Sequence, residues 1–371
     1  MKLNNTFVFI KNKLLLFYRT LSYKFLPYYT DITSLIIFLR VKIKKYDRNV
    51  LGIIDYNKSN YALGDTIIFV VNLLIQKHYS GSKEIHICIV FNSKKNKPEK
   101  HEWLIQVLNL IPNNIKSIFY FKDKTEFNEF RKIKFHLYRN FPSNGSQLHC
   151  DTRVLHKYYK KYNKLPELTV DQNSLLWANK LINKISNSKK LIIIGIRNSF
   201  KIKNPNEFYK INREKGAGTR NSNLPEWENF LYQIDRKKYF IICLCDYTEI
   251  IPSWREKNLV TYSTDLGANV IKDFALIQLS YISLFPSSGM FQYAFFRDTP
   301  SILFNRTKNY AKLKSDPIHR LNNPLKDGQQ FIYQNYYQRI YWGPDTCENI
   351  MMNFLDLEKD IDNKKTNYYT K

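Results

Sequence analysis

Small and hydroxyl-bearing residues mark one position in this sequence where a phosphate group could be held. Ser287, Ser288 and Gly289 follow an apolar run typical of a buried strand and precede a short run typical of a helix. The start of a helix offers unpaired backbone N–H groups and the positive end of the helix dipole. Small residues let an anion approach that end closely, as at the carboxyl edge of parallel sheets. An ordinary helix cap is the alternative interpretation of the same three residues.

A second segment of interest is Gly64-Asp65-Thr66, which opens a long apolar run. The run is too long for one strand and predicts a buried helix. An apolar strand is predicted before it, at 50–54, and another after it, at 84–90. An aspartate at a helix start is often a cap or a partner of the helix dipole, and this interpretation remains open for Asp65.

The order of residues after the Ser-Ser-Gly turn resembles the donor-site segment of heptosyltransferase-like glycosyltransferases of the GT-B fold. The turn is followed by a helix that carries alanine, a Thr299-Pro300 turn, and an apolar strand that ends in Phe304-Asn305. In that family the segment holds the nucleotide-sugar donor. The resemblance implies donor contacts from Ser287, Ser288, Gly289 and Asn305.

The Gly-Asp opening of the first helix resembles the same family. The resemblance implies that Asp65 is the catalytic base and that Gly64 and Thr66 lie on the acceptor side. Residues 122–172 take no part in this resemblance.

Two arginines and two further polar residues are additional donor-site predictions. Arg197 follows a predicted strand, where its planar side chain could hold a diphosphate with two parallel hydrogen bonds; a solvated basic loop is the alternative. Arg220 and Asn221 are assigned from the similarity of their segment to GT-B transferases of bacterial surface-polysaccharide loci. Asp246 ends another predicted strand and could bind a ribose hydroxyl or simply cap a loop.

Apolar strands alternate with helices along the chain, which predicts an α/β protein with parallel sheets. We expect two Rossmann-like doubly wound domains that face each other across a cleft, the GT-B arrangement, with five strands in the second. The predicted divisions are a basic aromatic segment at 1–48, an acceptor domain at 49–165, a donor domain at 166–345, and a C-terminal helix and polar tail at 346–371.

The composition limits the classes of protein to which this chain can belong. A hydrophobic content of 44% supports real cores, and the formal net charge of +26 favours anionic partners. Lysine, asparagine and isoleucine are also residues of A/T-rich codons, so genome composition explains part of the charge, and no nucleic-acid-binding motif is present. The five cysteines form no disulfide framework, which predicts a reduced, cytoplasmic protein.

The sequence offers neither metal-ligand spacing nor the Asp-x-Asp between strands by which GT-A transferases hold a cation. We therefore expect a metal-independent enzyme without a cofactor.

The first 48 residues hold ten Lys or Arg and two Asp, interleaved with phenylalanine, leucine and tyrosine. Such a segment can lie on an anionic membrane surface from the cytoplasmic side, or can pack on the domain as its first helix.

Together these features predict an inverting glycosyltransferase. It would move a sugar from a nucleotide-diphosphate sugar to a glycan or lipid-linked acceptor in cell-surface polysaccharide synthesis. A GT-B transferase with a different type of acceptor is one alternative. A non-catalytic protein that binds anionic polymer or nucleic acid is the other.

Overall fold

The computed structural model describes residues 49–57, 62–92, 102–134, 139–140, 152–185, 188–198, 221–245, 250–286, 288–304 and 328–363. Within them the chain forms two parallel β-sheets with helices packed against both, which confirms the predicted α/β class.

The first sheet has four strands in the order β3-β2-β1-β4. Strands β1 and β2 are buried along their whole length, as parallel strands covered on both faces require. The strands are β1 (Val50–Asp55), β2 (Ile85–Val90), β3 (Ile115–Phe121) and β4 (Arg139–Asn140). The helices that follow these strands are α1 (Leu63–Ser80), α2 (Glu102–Leu108), α3 (Lys124–Lys134) and α4 (Thr152–Tyr162).

The second sheet has six strands in the order β10-β9-β8-β5-β6-β7, all paired in parallel. Its strands are β5 (Lys190–Gly195), β6 (Tyr239–Leu244), β7 (Thr261–Tyr262), β8 (Ile282–Phe285), β9 (Ser301–Leu303) and β10 (Gln338–Ile340). The accompanying helices are α5 (Gln172–Ile185), α6 (Leu224–Gln233), α7 (Pro252–Glu256), α8 (Val270–Leu279), α9 (Met290–Phe296) and α10 (Cys347–Asp362).

Six strands rather than the predicted five make up this second sheet. The additional strand, β10, is only three residues long and reads Gln-Arg-Ile, so it carries no apolar run. It is fixed by long-range contacts instead. The side-chain amide of Gln338 donates to the carbonyl oxygens of Ala294 and Phe295 at 2.8 and 3.2 Å.

Each sheet contains a point at which the strand order reverses. In the first, the chain runs from β1 outward to β2 and β3 and then places β4 on the other side of β1. In the second, it runs from β5 to β6 and β7 and then places β8 on the other side of β5. Ligands of open α/β sheets bind outside the carboxyl ends of the strands at such reversals. The expected ligand positions therefore follow β1 in the first sheet and β5 and β8 in the second.

The two halves pack on each other through helices. Helix α9 lies against α1, and α8 lies against α2. The backbone N–H of Ile271 donates to Oε1 of Gln106 at 3.3 Å. Buried residues of both halves form one continuous apolar cluster. Across the described ranges, no helix has the length and apolar character needed to span a bilayer.

Candidate functional site

The start of α1 and the turn before α9 touch each other through two glycines. A methyl group at Gly289 would lie 2.5 Å from the backbone nitrogen of Gly64 and 3.1 Å from Cβ of Leu63. A methyl group at Gly64 would lie 3.0 Å from Cα of Gly289. The two segments singled out in the sequence therefore meet where the two halves of the molecule join.

This contact changes the explanation for Gly289. The sequence predicts that glycine leaves room for an anion. In the structure, the backbone of Gly64 fills the space where a Cβ of residue 289 would be. The φ of Gly289 is −70°, which any residue adopts, so backbone conformation does not require glycine either. Close approach between the two halves requires it.

Asp65 lies in the first turn of α1, half-buried, two residues after the helix begins. The N-cap residue is Ala62, which has no side chain able to cap, and the backbone N–H of Thr66 makes the first intrahelical bond, to Ala62. The backbone N–H groups before Thr66 therefore have no acceptor within α1, which is 18 residues long. The Asp65 carboxylate forms no hydrogen bond or ion pair with the residues that the structure describes.

Thr66 contributes differently from its neighbour. Its side chain is fully buried, and its hydroxyl donates to the carbonyl oxygen of Ala62 at 3.0 Å. That bond closes the first turn of α1 and so helps to fix the direction of the turn that carries Asp65.

The α9 side of the contact carries two buried oxygens with unused hydrogen-bonding capacity. Oγ of Ser288 and Oε1 of Gln292 have no partner among the described residues. Ser288 does not cap α9, whose N-cap residue is Gly289 and which has no side-chain cap. Gln292 lies four residues on, on the same face of the helix, and its Cγ would be 3.5 Å from a methyl group at Gly64. Because a buried polar atom without a partner costs stability, both oxygens are suited to meet a ligand.

Gln292 was missed in the sequence. The signal that could have identified it is the composition of α9, which reads Met-Phe-Gln-Tyr-Ala-Phe-Phe with six of its seven residues buried. A glutamine in so apolar a helix needs a hydrogen-bonding reason.

Arg197 and Asn221 lie together beyond the carboxyl end of β5. The backbone N–H of Arg197 donates to Oγ of Ser222 at 3.1 Å, and the N–H of Ser222 donates to the Arg197 carbonyl at 2.9 Å. Asn221 is buried beside this pair. Strand β5 is adjacent to β8, and a methyl group at Gly195 would lie 2.6 Å from the ring of Phe285, the last residue of β8. Arg197 and Ser288 thus follow neighbouring strands at the point where the strand order reverses.

The other donor-site predictions lie outside the described residues: Arg220, Asp246, Ser287 and Asn305. The segment 1–48 and the tail 364–371 also lie outside them.

Comparison with known proteins identifies the architecture. No protein-family model and no curated protein matches the chain. Among solved structures, a family 9 glycosyl transferase from Veillonella parvula aligns with a TM-score of 0.50 and 10% identity, over 85% of this chain and 90% of its own. The E. coli ADP-heptose LPS heptosyltransferase II aligns with a TM-score of 0.52 and 9% identity, over 85% of this chain and 99% of its own. The chain has the GT-B fold. The predicted resemblance to heptosyltransferase-like proteins is confirmed at the level of fold.

Within this GT-B fold, burial raises the pKa of two carboxyl groups. Burial raises the pKa of Asp273, on α8, to about 7. Burial also raises the pKa of Asp345. Asp345 has a structural role, since it accepts hydrogen bonds from the N–H of Asn223 at 2.9 Å and from Nε1 of Trp227 at 2.8 Å. These bonds join α6 to the segment before α10.

The described residues of the GT-B fold contain no group of three or more His, Cys, Asp or Glu side chains arranged to hold a metal ion. The polar groups on the two sides of the glycine contact are instead a carboxylate, a hydroxyl and a side-chain amide.

Proposed function

We propose that the protein is an inverting glycosyltransferase that moves a sugar from a nucleotide-diphosphate sugar to an acceptor hydroxyl. The contact between Gly64 and Gly289 carries this proposal. It joins the first turn of α1, which carries Asp65 and follows β1, to the segment opening α9, which carries Ser288 and Gln292 and follows β8, at the positions where open α/β sheets bind ligands. The GT-B fold shared with two glycosyltransferases supports the same reaction class.

The donor would lie on the second sheet. Its diphosphate would approach Arg197 and the Ser288 hydroxyl, and Gln292 would bond to a hydroxyl of the sugar or to a phosphate through its side-chain amide. Arginine suits this role because its guanidinium donates two parallel hydrogen bonds to phosphate oxygens. We place Asn221, Arg220, Asp246, Ser287 and Asn305 around the same donor.

The acceptor would approach from the first sheet, beside α1. In the reaction the Asp65 carboxylate takes the proton of the acceptor hydroxyl while the hydroxyl oxygen attacks the anomeric carbon. The bond from that carbon to the diphosphate breaks, and the nucleotide leaves with the electron pair. Attack from the face opposite the leaving group inverts the configuration. General-base assistance of this kind contributes about 10²–10⁴ in rate.

The charge that develops on the leaving diphosphate must be neutralised. We propose that Arg197 and the Ser288 hydroxyl do so, by donating hydrogen bonds to the phosphate oxygens. Helix α9 has only seven residues and contributes less than the sequence suggested. No metal ion or cofactor is part of this proposal, and the acceptor would be a glycan or a lipid-linked sugar on the cytoplasmic side of a membrane.

The experiment is a thermal-shift screen of the full-length protein against nucleotide-diphosphate sugars, followed by release of nucleotide in the presence of candidate glycan acceptors. We expect one class of nucleotide sugar to raise the melting temperature, because a ligand of the native state stabilises it by mass action. The same class should support acceptor-dependent nucleotide release. Absence of any shift across the screen at millimolar concentrations would contradict the proposal.

The net charge of +26 favours a second function, binding of an anionic polymer without catalysis. In that case affinity for many polyanions would fall steeply and similarly with added salt, and no sugar nucleotide would bind.

A further inference from the structure

A cluster of aromatic rings lies at the C-terminal end of α1, where α4 packs against it. We call it the Tyr79 cluster, and its members are His78, Tyr79, Tyr158, Tyr162 and Lys161. The ring centroids of Tyr158 and Tyr162 are 4.6 Å apart, and His78 is 4.8 Å from Tyr162. Tyr79 is 5.6 Å from Tyr158. Nζ of Lys161 lies 5.6 Å from the Tyr79 ring centroid and 5.0 Å from that of Tyr162.

One side of the cluster is anchored and the other faces solvent. Tyr158 is buried, and its hydroxyl lies 2.8 Å from Nδ1 of His78, with which it shares a hydrogen bond. Tyr79 is 46% exposed, and Lys161 is exposed beside it. The fold therefore holds an accessible tyrosine ring and a lysine in fixed positions, although neither is needed to fill the core.

The charge around the cluster has one sign. Residues 76–83 contain two Lys or Arg and residues 152–164 contain five, whereas neither segment contains Asp or Glu. On α4 the exposed lysines include Lys157 and Lys161, which are four residues apart and so share a face of the helix. Such a surface attracts anions and repels cations.

The basic N-terminal segment precedes residue 49, which lies at the same end of the first sheet as the C-terminal end of α1. The backbone N–H of Val50 donates to the carbonyl of Glu84 at 3.1 Å, and Nδ2 of Asn49 lies 3.3 Å from Nε2 of His86. Residue 49 therefore lies at the amino ends of the strands of the first sheet, where α1 ends and β2 begins. The 48 residues before it carry ten Lys or Arg and two Asp, with many aromatic and leucine residues among them.

We propose that the Tyr79 cluster and its surrounding lysines are a docking surface for an anionic lipid bilayer, at the same end of the first sheet as residue 49. Tyrosine rings are favourable at the level of lipid headgroups, because one end is apolar and the other is polar. Lysines close to an anionic leaflet add electrostatic attraction. The apolar content of residues 1–48 favours a bilayer over a nucleic acid, whose backbone offers no apolar phase.

This surface is remote from the candidate active site. Gly64 and Asp65 are at the opposite end of α1, and 18 helical residues span about 27 Å. The inference therefore does not rest on the proposed reaction. Loss of membrane binding should leave turnover of a soluble acceptor unchanged.

The test measures co-sedimentation of the full-length protein with phosphatidylcholine vesicles that do or do not contain phosphatidylglycerol. The variant is Lys157→Glu with Lys161→Glu. The matched control is Lys180→Glu with Lys184→Glu, which are exposed, have the same spacing on α5, and change the net charge equally. We expect the variant to bind the anionic vesicles at least about tenfold more weakly, and the control to change less than about threefold.

A second variant, Tyr79→Ser, keeps every charge and should also weaken vesicle binding, with only a small fall in melting temperature because about half of its side chain is exposed. If the double variant melts at a lower temperature, Lys160→Glu with Lys164→Glu replaces it, since both side chains are exposed. Equal losses in variant and control would mean that net charge alone acts, and would overturn the proposal. Loss of single-stranded DNA or RNA binding with vesicle binding retained would overturn it in favour of a nucleic-acid surface.

Discussion

Gly64 and Gly289 touch through their backbones, so that any Cβ at residue 289 would come within 2.5 Å of the nitrogen of residue 64. This is a contact between two halves of the molecule and between two helix starts. Neither glycine needs an unusual backbone conformation, since Gly64 lies inside a helix and Gly289 has a φ of −70°. Their small size sets the separation of Asp65 from Ser288 and Gln292, and therefore sets the geometry of the proposed site.

The variant Gly289→Ala should impair both stability and turnover. The added methyl group cannot be accommodated without moving α1 away from α9, and such overpacking costs about 1–3 kcal/mol. Because the shift separates Asp65 from the donor, turnover should fall by more than the loss of stability explains. Melting temperature and nucleotide release measure the two effects. Gly267→Ala is the control: its left-handed φ of 72° makes it a strained position, but nothing lies within 4 Å of the added group. It should lower stability and preserve turnover.

The variant Asp65→Asn should retain the fold and donor binding and lose most of its turnover. The amide is nearly the same shape as the carboxylate but cannot accept the acceptor's proton, so kcat should fall about 10²–10⁴-fold. Steady-state kinetics and donor titration are the measurements. Glu102→Gln provides a control, because it removes an exposed carboxylate from the first turn of α2. Near-normal kcat for Asp65→Asn would remove Asp65 from the mechanism.

The variant Gln292→Met should stabilise the apo protein or leave it unchanged, and weaken the donor. Methionine has a similar length, and it removes a buried oxygen that has no partner among the described residues. If the oxygen or the NH₂ group of the Gln292 side chain contacts the donor, the affinity for the donor should fall about tenfold, which corresponds to about 1.4 kcal/mol. Thermal melting without ligand and isothermal titration with nucleotide sugar test the two halves of the prediction. A donor affinity equal to that of the wild type would show that Gln292 faces no ligand.

Asp273 should make the protein less stable at alkaline pH. Burial raises its folded-state pKa to about 7, whereas an unfolded aspartate titrates near 3.9. Between these values the folded state holds a proton that the unfolded state releases. The stabilising contribution is therefore complete below about pH 4 and is lost as the pH rises through about 7.

The variant Asp273→Asn should make stability depend less on pH. The difference in melting temperature between the variant and the wild type should therefore favour the variant more at pH 8 than at pH 5. Melting curves across that range are the measurement. Asp265→Asn is the comparison, since Asp265 is exposed and pairs with Arg255 at the surface. Parallel melting profiles for Asp273→Asn and the wild type would contradict the assignment.

The sequence was sufficient for elements that are both long and apolar. Strands β1, β2, β5, β6 and β8 are buried runs of β-branched and aromatic residues, and their positions follow from composition alone. The long apolar run after Gly64-Asp65-Thr66 is a helix as predicted, and it begins at Leu63. Three short or polar elements, β4, β10 and α4, were not predicted. Strand β4 has two residues, and α4 is rich in lysine and tyrosine and ends just before the predicted boundary between the domains.

What the sequence determined by itself is the class of fold and the two segments that could carry chemistry, because hydrophobic periodicity and small residues at helix starts are local properties. Only the tertiary structure decided that these segments meet. Their contact depends on the strand order of two sheets and on the packing of α9 against α1, which join residues more than 200 positions apart. The same packing buries Gln292 and assigns Gly289 to a contact between the halves. Burial against distant elements likewise raises the pKa of Asp273, which no local pattern of residues reveals.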